Sequence, residues 1–144
     1  MAKRILVLCT GNSCRSQMAE GFLRSFDQTV EVYSAGTEPA SRVSSHAIAA
    51  MKELGIDISR HSPKNVSQFL KHSFDYVITV CDDANESCPV FLGKVNHRLH
   101  MGFVDPTWTM GTGEEVVEAH RRVRDLIKSA FRSFYDENLR GTQA

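Results

Sequence analysis

The run Ile5-Leu6-Val7-Leu8-Cys9-Thr10-Gly11-Asn12-Ser13-Cys14-Arg15-Ser16 constrains this chain more than any other part of it. Four apolar residues predict a buried strand, and Gln17 to Leu23 read as a helix. A strand end, a short loop of small residues and a helix N-terminus must therefore meet within a few residues. Gly11, Asn12 and Ser13 let consecutive backbone N–H groups curl inward as an anion-binding nest. The helix adds unpaired N–H groups and a partial positive charge. Arg15 supplies a planar fork for two oxygens of a tetrahedral oxyanion. The same surroundings predict a Cys9 pKa below the usual thiol value. Cys9 through Arg15 thus read as a loop that presses an oxyanion against a nucleophilic sulfur. The plain alternative is a buried, inert cysteine followed by a solvated arginine, which the strand–loop–helix frame disfavours.

The alternation of apolar runs and turn residues extends along the whole chain. Strands are predicted over 4–9, 30–35 and 76–80, with a weaker one over 97–101. Helices are predicted from Ser16 to Ser25, from Ser44 or Ser45 to Leu54 with Gly55 as terminator, and from Ser62-Pro63 to Leu70. A last helix starts near Gly113, with Val116, His120, Val123, Ile127, Ala130, Phe131 and Phe134 as its buried stripe. Such alternation predicts an α/β fold with a parallel sheet, one domain spanning 1–144. Ligands in such sheets sit beyond the carboxyl ends of the strands. Cys9 ends the first strand and Cys81 the third, so both sulfurs are expected to face one crevice.

Acidic and basic residues balance at 17 each, so no net field favours nucleic acid or an anionic membrane surface. No apolar run reaches the ~18 residues of a membrane span, and the start lacks the apolar stretch of a signal peptide. The cytoplasm is the expected compartment, where four cysteines read as catalytic or metal-binding before they read as a disulfide framework. Their spacing, and six scattered histidines, argue against a metal site.

Cys81 and Cys88 enclose an acidic, helix-poor stretch. If helical, the seven-residue spacing sets them about 10 Å apart, whereas a disulfide needs Cα atoms within roughly 7 Å. A bond between them requires the segment to unwind, so a mobile redox segment and two incidental cysteines flanking a turn both fit. Asp105-Pro106 supplies either a general acid at the crevice or an ordinary turn.

The stretch from Cys9 to Glu20 resembles the phosphate loop of the low-molecular-weight tyrosine phosphatase fold, and more closely that of thioredoxin-coupled arsenate reductases built on it. The resemblance extends through Tyr33-Ser34-Ala35-Gly36, Ala50 to Glu53, Asp57-Ile58-Ser59, Val80-Cys81 to Cys88-Pro89, Asp105-Pro106 and Arg122 to Asp125. It implies a single three-layer α/β domain, a four-stranded parallel sheet flanked by helices. It implies Cys9 as nucleophile, Cys81 and Cys88 as second and third redox cysteines, and Asp105 as general acid. Arg15 and Ser16 would bind the oxyanion and support the thiolate, with Thr10, Gly11, Asn12, Ser13 and Cys14 completing the oxyanion loop; Cys14 has no direct catalytic role. The implied substrate is arsenate, mimicked by phosphate or sulfate, with no tightly bound cofactor, electrons from thioredoxin and a monomeric state. Some relatives bind potassium through groups matching Asn12, Glu20, Ser34 and Ser62, plus an aspartate at the position of Lys64. A lysine there brings its own charge, which argues against the cation. A tyrosine phosphatase working through a phosphocysteine is an alternative, although only Trp108 follows Asp105-Pro106 where phosphatases carry two aromatics. A non-catalytic redox sensor is the third reading.

Overall fold

The computed structural model describes residues 2–82, 84 and 88–140. The elements run β1 (Arg4–Cys9), α1 (Arg15–Phe26), β2 (Glu31–Gly36), α2 (Ser45–Lys52), a 3-10 turn (Val66–Phe69), β3 (Phe74–Thr79), β4 (Val95–His100), a second 3-10 turn (Pro106–Trp108) and α3 (Gly113–Asn138). The four strands are parallel in the order β2-β1-β3-β4. Ile5, Leu6, Val7 and Leu8 have no exposed surface, as expected of a central parallel strand covered on both faces.

β1 hands the chain to β2 on one side and borders β3 on the other. The connections diverge there, opening a crevice beyond its carboxyl end. The crevice floor is rigid because the helices beneath it are. α1 buries Met18, Ala19, Phe22 and Leu23. α3 starts on a capping box in which Thr112 and Glu115 satisfy each other's backbone N–H, and it buries His120, Val123, Ile127, Phe131 and Phe134. Val116 and Ala130 of the expected stripe are only half-buried. Tyr33, Phe69, Phe74 and Phe91 form a chain of tilted and edge-on ring contacts at the far end of the sheet.

Two sequence expectations need correction. β2 and β4 are shifted by one or two residues, and β3 begins at Phe74. Ser62-Pro63 opens no helix. Gly36 N–H donates to Lys64 O at 2.7 Å, and Asn65 bridges to Gly36, so this stretch is held extended against the end of β2. Only at Val66 does a short 3-10 turn begin, capped by Asn65 Oδ1 accepting from Ser67 N–H at 2.9 Å. The expected unwinding of the segment after Cys81 falls on residues 83 and 85–87, outside the described residues.

Candidate active site

The loop between β1 and α1 owes its shape to where its carbonyls go. Cys9 O accepts from Thr37 N at 3.2 Å, Thr10 O from Glu38 N at 2.9 Å and Gly11 O from Ala40 N at 2.8 Å. Asn12 O accepts from Gln17 Nε2 at 3.1 Å, Ser13 O from Ser44 N at 2.8 Å and Cys14 O from Met18 N at 2.9 Å. Consecutive carbonyls directed outward leave the N–H groups to face the opposite way, as a nest requires. Asn12 adopts a left-handed backbone (φ 51°), which asparagine tolerates better than most residues.

Gly36 is the neighbour that makes room for the turn. A Cβ there would lie 2.4 Å from Thr10 O and 3.1 Å from Asn12 N. Gly36→Ala is therefore expected to destabilise the protein by about 1–3 kcal/mol, the cost of forcing an extra carbon into a packed site. It should also weaken phosphate binding, because the clash falls on the loop itself. Urea unfolding and phosphate titration of the variant measure the two effects. Unchanged values would show that the loop yields freely.

The cleft above the loop encloses about 630 Å³ and is lined by Cys9, Thr10, Gly11, Ser13, Cys14, Arg15 and Cys81, with Asp105 and Trp108 on the facing wall. Asn12 and Ser16 do not line it; both are fully buried behind the loop. There Asn12 Nδ2 donates to Ser16 Oγ at 2.8 Å and Asn12 Oδ1 accepts from Lys64 N at 2.9 Å. Both side chains brace the loop from behind. Cys88 is also absent from the cleft and lies against β4.

The charge on the sulfurs differs from the sequence expectation. Cys9 and Cys81 meet at the cleft and shift each other's charge in opposite directions. Cys9 is pushed up from the ordinary thiol value by Cys81 and by burial, against the pull of Arg15. Cys81 is lowered to about 5 by Cys9 and by Thr10, whose Oγ1 is 3.3 Å from its sulfur. The two sulfurs are thus shifted in opposite directions, Cys9 toward the thiol and Cys81 toward the thiolate. Cys14 is pushed up to about 12 by burial and by Asp105, so it stays a neutral thiol.

Arg15 spans the cleft. Its Nη1 donates to Phe103 O at 2.9 Å and its Nη2 meets Asp105 Oδ2 at 3.2 Å. Its Nε is buried and has no hydrogen-bond partner among the described residues, which leaves a donor available to an anion. Asp105 Oδ1 accepts from Thr107 N–H at 2.9 Å and Thr107 Oγ1 at 2.6 Å, fixing the carboxylate at the cleft wall.

Beneath the loop lies a polar network that spacing alone could not reveal. Ser34 Oγ donates to Glu20 Oε1 at 2.7 Å, and Arg24 Nε pairs with Glu20 Oε2 at 3.1 Å. Ser62 O accepts from Gln17 Nε2 at 3.2 Å and from Lys64 Nζ at 3.0 Å. The oxygens that the resemblance assigns to potassium are thus already engaged by N–H and O–H groups, and Lys64 brings an ammonium among them. The residues present do not fit a potassium ion. Among the described residues no cluster of three metal-ligating side chains occurs, and no helix is long and apolar enough to cross a membrane.

The same architecture recurs in known proteins. The chain is 45% identical over 133 residues to the arsenate reductase of Halalkalibacterium halodurans, covering 92% of this chain and 94% of that one. It superposes on an arsenate reductase in its oxidized state with a TM-score of 0.79 at 30% identity, over 94% of this chain and 98% of the other. An arsenate reductase in the phosphate binding state gives a TM-score of 0.75 at 31% identity, over the same shares of the two chains. The profile of one family matches residues 4–143, nearly the full chain. This chain belongs to the low molecular weight phosphotyrosine protein phosphatase family.

Proposed function

We propose that this protein is a cytoplasmic, monomeric arsenate reductase whose electrons come from thioredoxin through a relay of Cys9, Cys81 and Cys88. The carrying observation is the pair of sulfurs in the cleft, with Cys81 lowered to about 5. Hydrolysis of a phosphocysteine has no use for a second, charged sulfur touching the nucleophile. Reduction needs one.

Arsenate enters the nest and draws on the loop N–H groups and Arg15 Nε, competing with Asp105 for the rest of the guanidinium. Cys9 attacks arsenic as its proton passes by way of the Asp105 carboxylate to the departing oxygen, which leaves as water. The Cys81 thiolate then attacks Cys9 Sγ. The new S–S bond forms as the S–As bond breaks, and its electron pair stays on arsenic, which falls from +5 to +3 and leaves as arsenite. Two thiols have supplied the two electrons. Cys88 attacks Cys81 next, forming Cys81–Cys88 and returning Cys9 to the thiol pool, and thioredoxin reduces the new disulfide. No potassium ion takes part in this reading, since Lys64 supplies the charge beneath the loop.

The test is arsenate-dependent NADPH oxidation with thioredoxin and thioredoxin reductase, run beside glutathione with glutaredoxin. Sustained turnover with the thioredoxin system is the expected result. Turnover only with glutaredoxin would replace the reductant. No arsenate turnover with either, together with hydrolysis of an aryl phosphate, would replace the reductase by a phosphatase.

A further inference from the structure

Cys88 is held on one face of β4. Val77 pairs with Arg98 and Thr79 with His100, so by strand alternation these four side chains share a face of the sheet. With Cys88 and Leu99 they bound a cavity of about 300 Å³ separate from the cleft. Arg98 Nη1 donates to Cys88 Sγ at 3.6 Å. The guanidinium is fixed from its other side, 5.5 Å over the ring of Phe91. Phe91 is itself buried and stands edge-on to Phe74 at 6.2 Å. The chain beyond it is pinned where Leu92 N and Gly93 N donate to Leu70 O at 2.7 and 3.2 Å. Arg98, exposed at the surface, thus lays its guanidinium over Phe91 and turns an edge to the Cys88 sulfur.

His100 performs the matching task at the other end of the redox segment. Its Nε2 is 3.0 Å from Asp82 Oδ1 and its Nδ1 is 2.8 Å from Thr79 Oγ1. Arg98 and His100 are two residues apart on one strand, a separation of roughly 6.6 Å. Asp82 and Cys88 are thus tethered to adjacent same-face positions of β4.

Resting on the relay reading above, we propose that Arg98 is the positioning residue for Cys88: it holds the sulfur on the face of β4 where the start of the redox segment is tied, and it stabilises the negative charge that builds there. The step it serves is the transfer of the disulfide. The Cys88 thiol gives its proton to solvent, its sulfur bonds to Cys81 Sγ, and the Cys9–Cys81 bond breaks with its electron pair leaving on Cys9. The same cation faces Cys88 when a dithiol reductant later opens Cys81–Cys88, if Cys88 is the sulfur expelled.

Peptide-resolved mass spectrometry of the intact reduced chain treated with iodoacetamide at neutral pH reads Cys88 reactivity directly, with a neutral reagent that Arg98 does not attract. Arg98→Met keeps an apolar stem over Phe91 and removes the charge. It should slow Cys88 alkylation about tenfold, near the lower end of what a charge-assisted hydrogen bond contributes. Arg98→Lys should stay within roughly threefold of the parent, since a point charge on a long stem still reaches the sulfur. Parent-like alkylation of Arg98→Met, or equal slowing in both variants, overturns the role of the cation. In one arsenate turnover, Arg98→Met should accumulate Cys9–Cys81 at the expense of Cys81–Cys88. If the parent itself never forms Cys81–Cys88, the relay reading fails by that result, while alkylation still decides the part of Arg98.

Discussion

A Cys9→Ser protein is expected to lose arsenate reduction and any aryl phosphatase side activity together, each by a factor on the order of 10⁶, the scale set by removal of a covalent nucleophile. Both reactions begin at one sulfur, and a serine hydroxyl keeps its proton at neutral pH without a dedicated base. Steady-state assays on arsenate and on an aryl phosphate give the measurement, with oxyanion affinity as the control. The loop carbonyl bonds and Arg15 are untouched by the change, so phosphate should still bind. Loss of phosphate binding would mean that the variant had lost the loop itself, and survival of either activity would separate the two chemistries.

Cys88→Ser should abolish turnover while sparing the first two steps. Cys9 and Cys81 line the same cleft and interact there, so one arsenite per protein should be released before the chain stalls as a Cys9–Cys81 disulfide. Cys9 is only 3% exposed and Cys81 5%, which leaves that bond poorly accessible to the dithiol of another protein. Cys88 is half-buried and outside the cleft. Quenched-flow arsenite release with disulfide mapping would read a burst near one equivalent and then nothing. Phosphatase turnover, which uses water and no third sulfur, should be unaffected. Continued arsenate turnover with thioredoxin would remove Cys88 from the relay.

The loop was legible in the sequence because every cue for it is local. The apolar run that makes β1, the small residues at 11–13 and Arg15 lie within a dozen positions, so backbone sterics and helix polarity suffice to assemble the nest. Parallel pairing was equally legible from runs such as Ile5 to Leu8, which only a sheet covered on both faces tolerates. Ser62-Pro63 failed for the opposite reason. Its local signal was a helix cap, but the backbone pairing of Lys64 and Asn65 with Gly36 at the end of β2 outcompeted it.

What the sequence determined by itself is the set of reactive groups and the crevice they share: Cys9 and Cys81 at strand ends, Arg15 at a helix start, Asp105 on a loop. Tertiary structure alone decided how charge and contact are distributed among them. Cys81 is shifted toward the thiolate because Cys9, 72 positions earlier, is brought beside it at the cleft. Arg15 rests on Phe103 and Asp105, about 90 positions away. Cys88 finds its cation on β4 and not in the cleft. Hydrogen bonding and burial depend on distance in space, which residue order fixes only over a few turns of chain; beyond that, the packing of the sheet sets both.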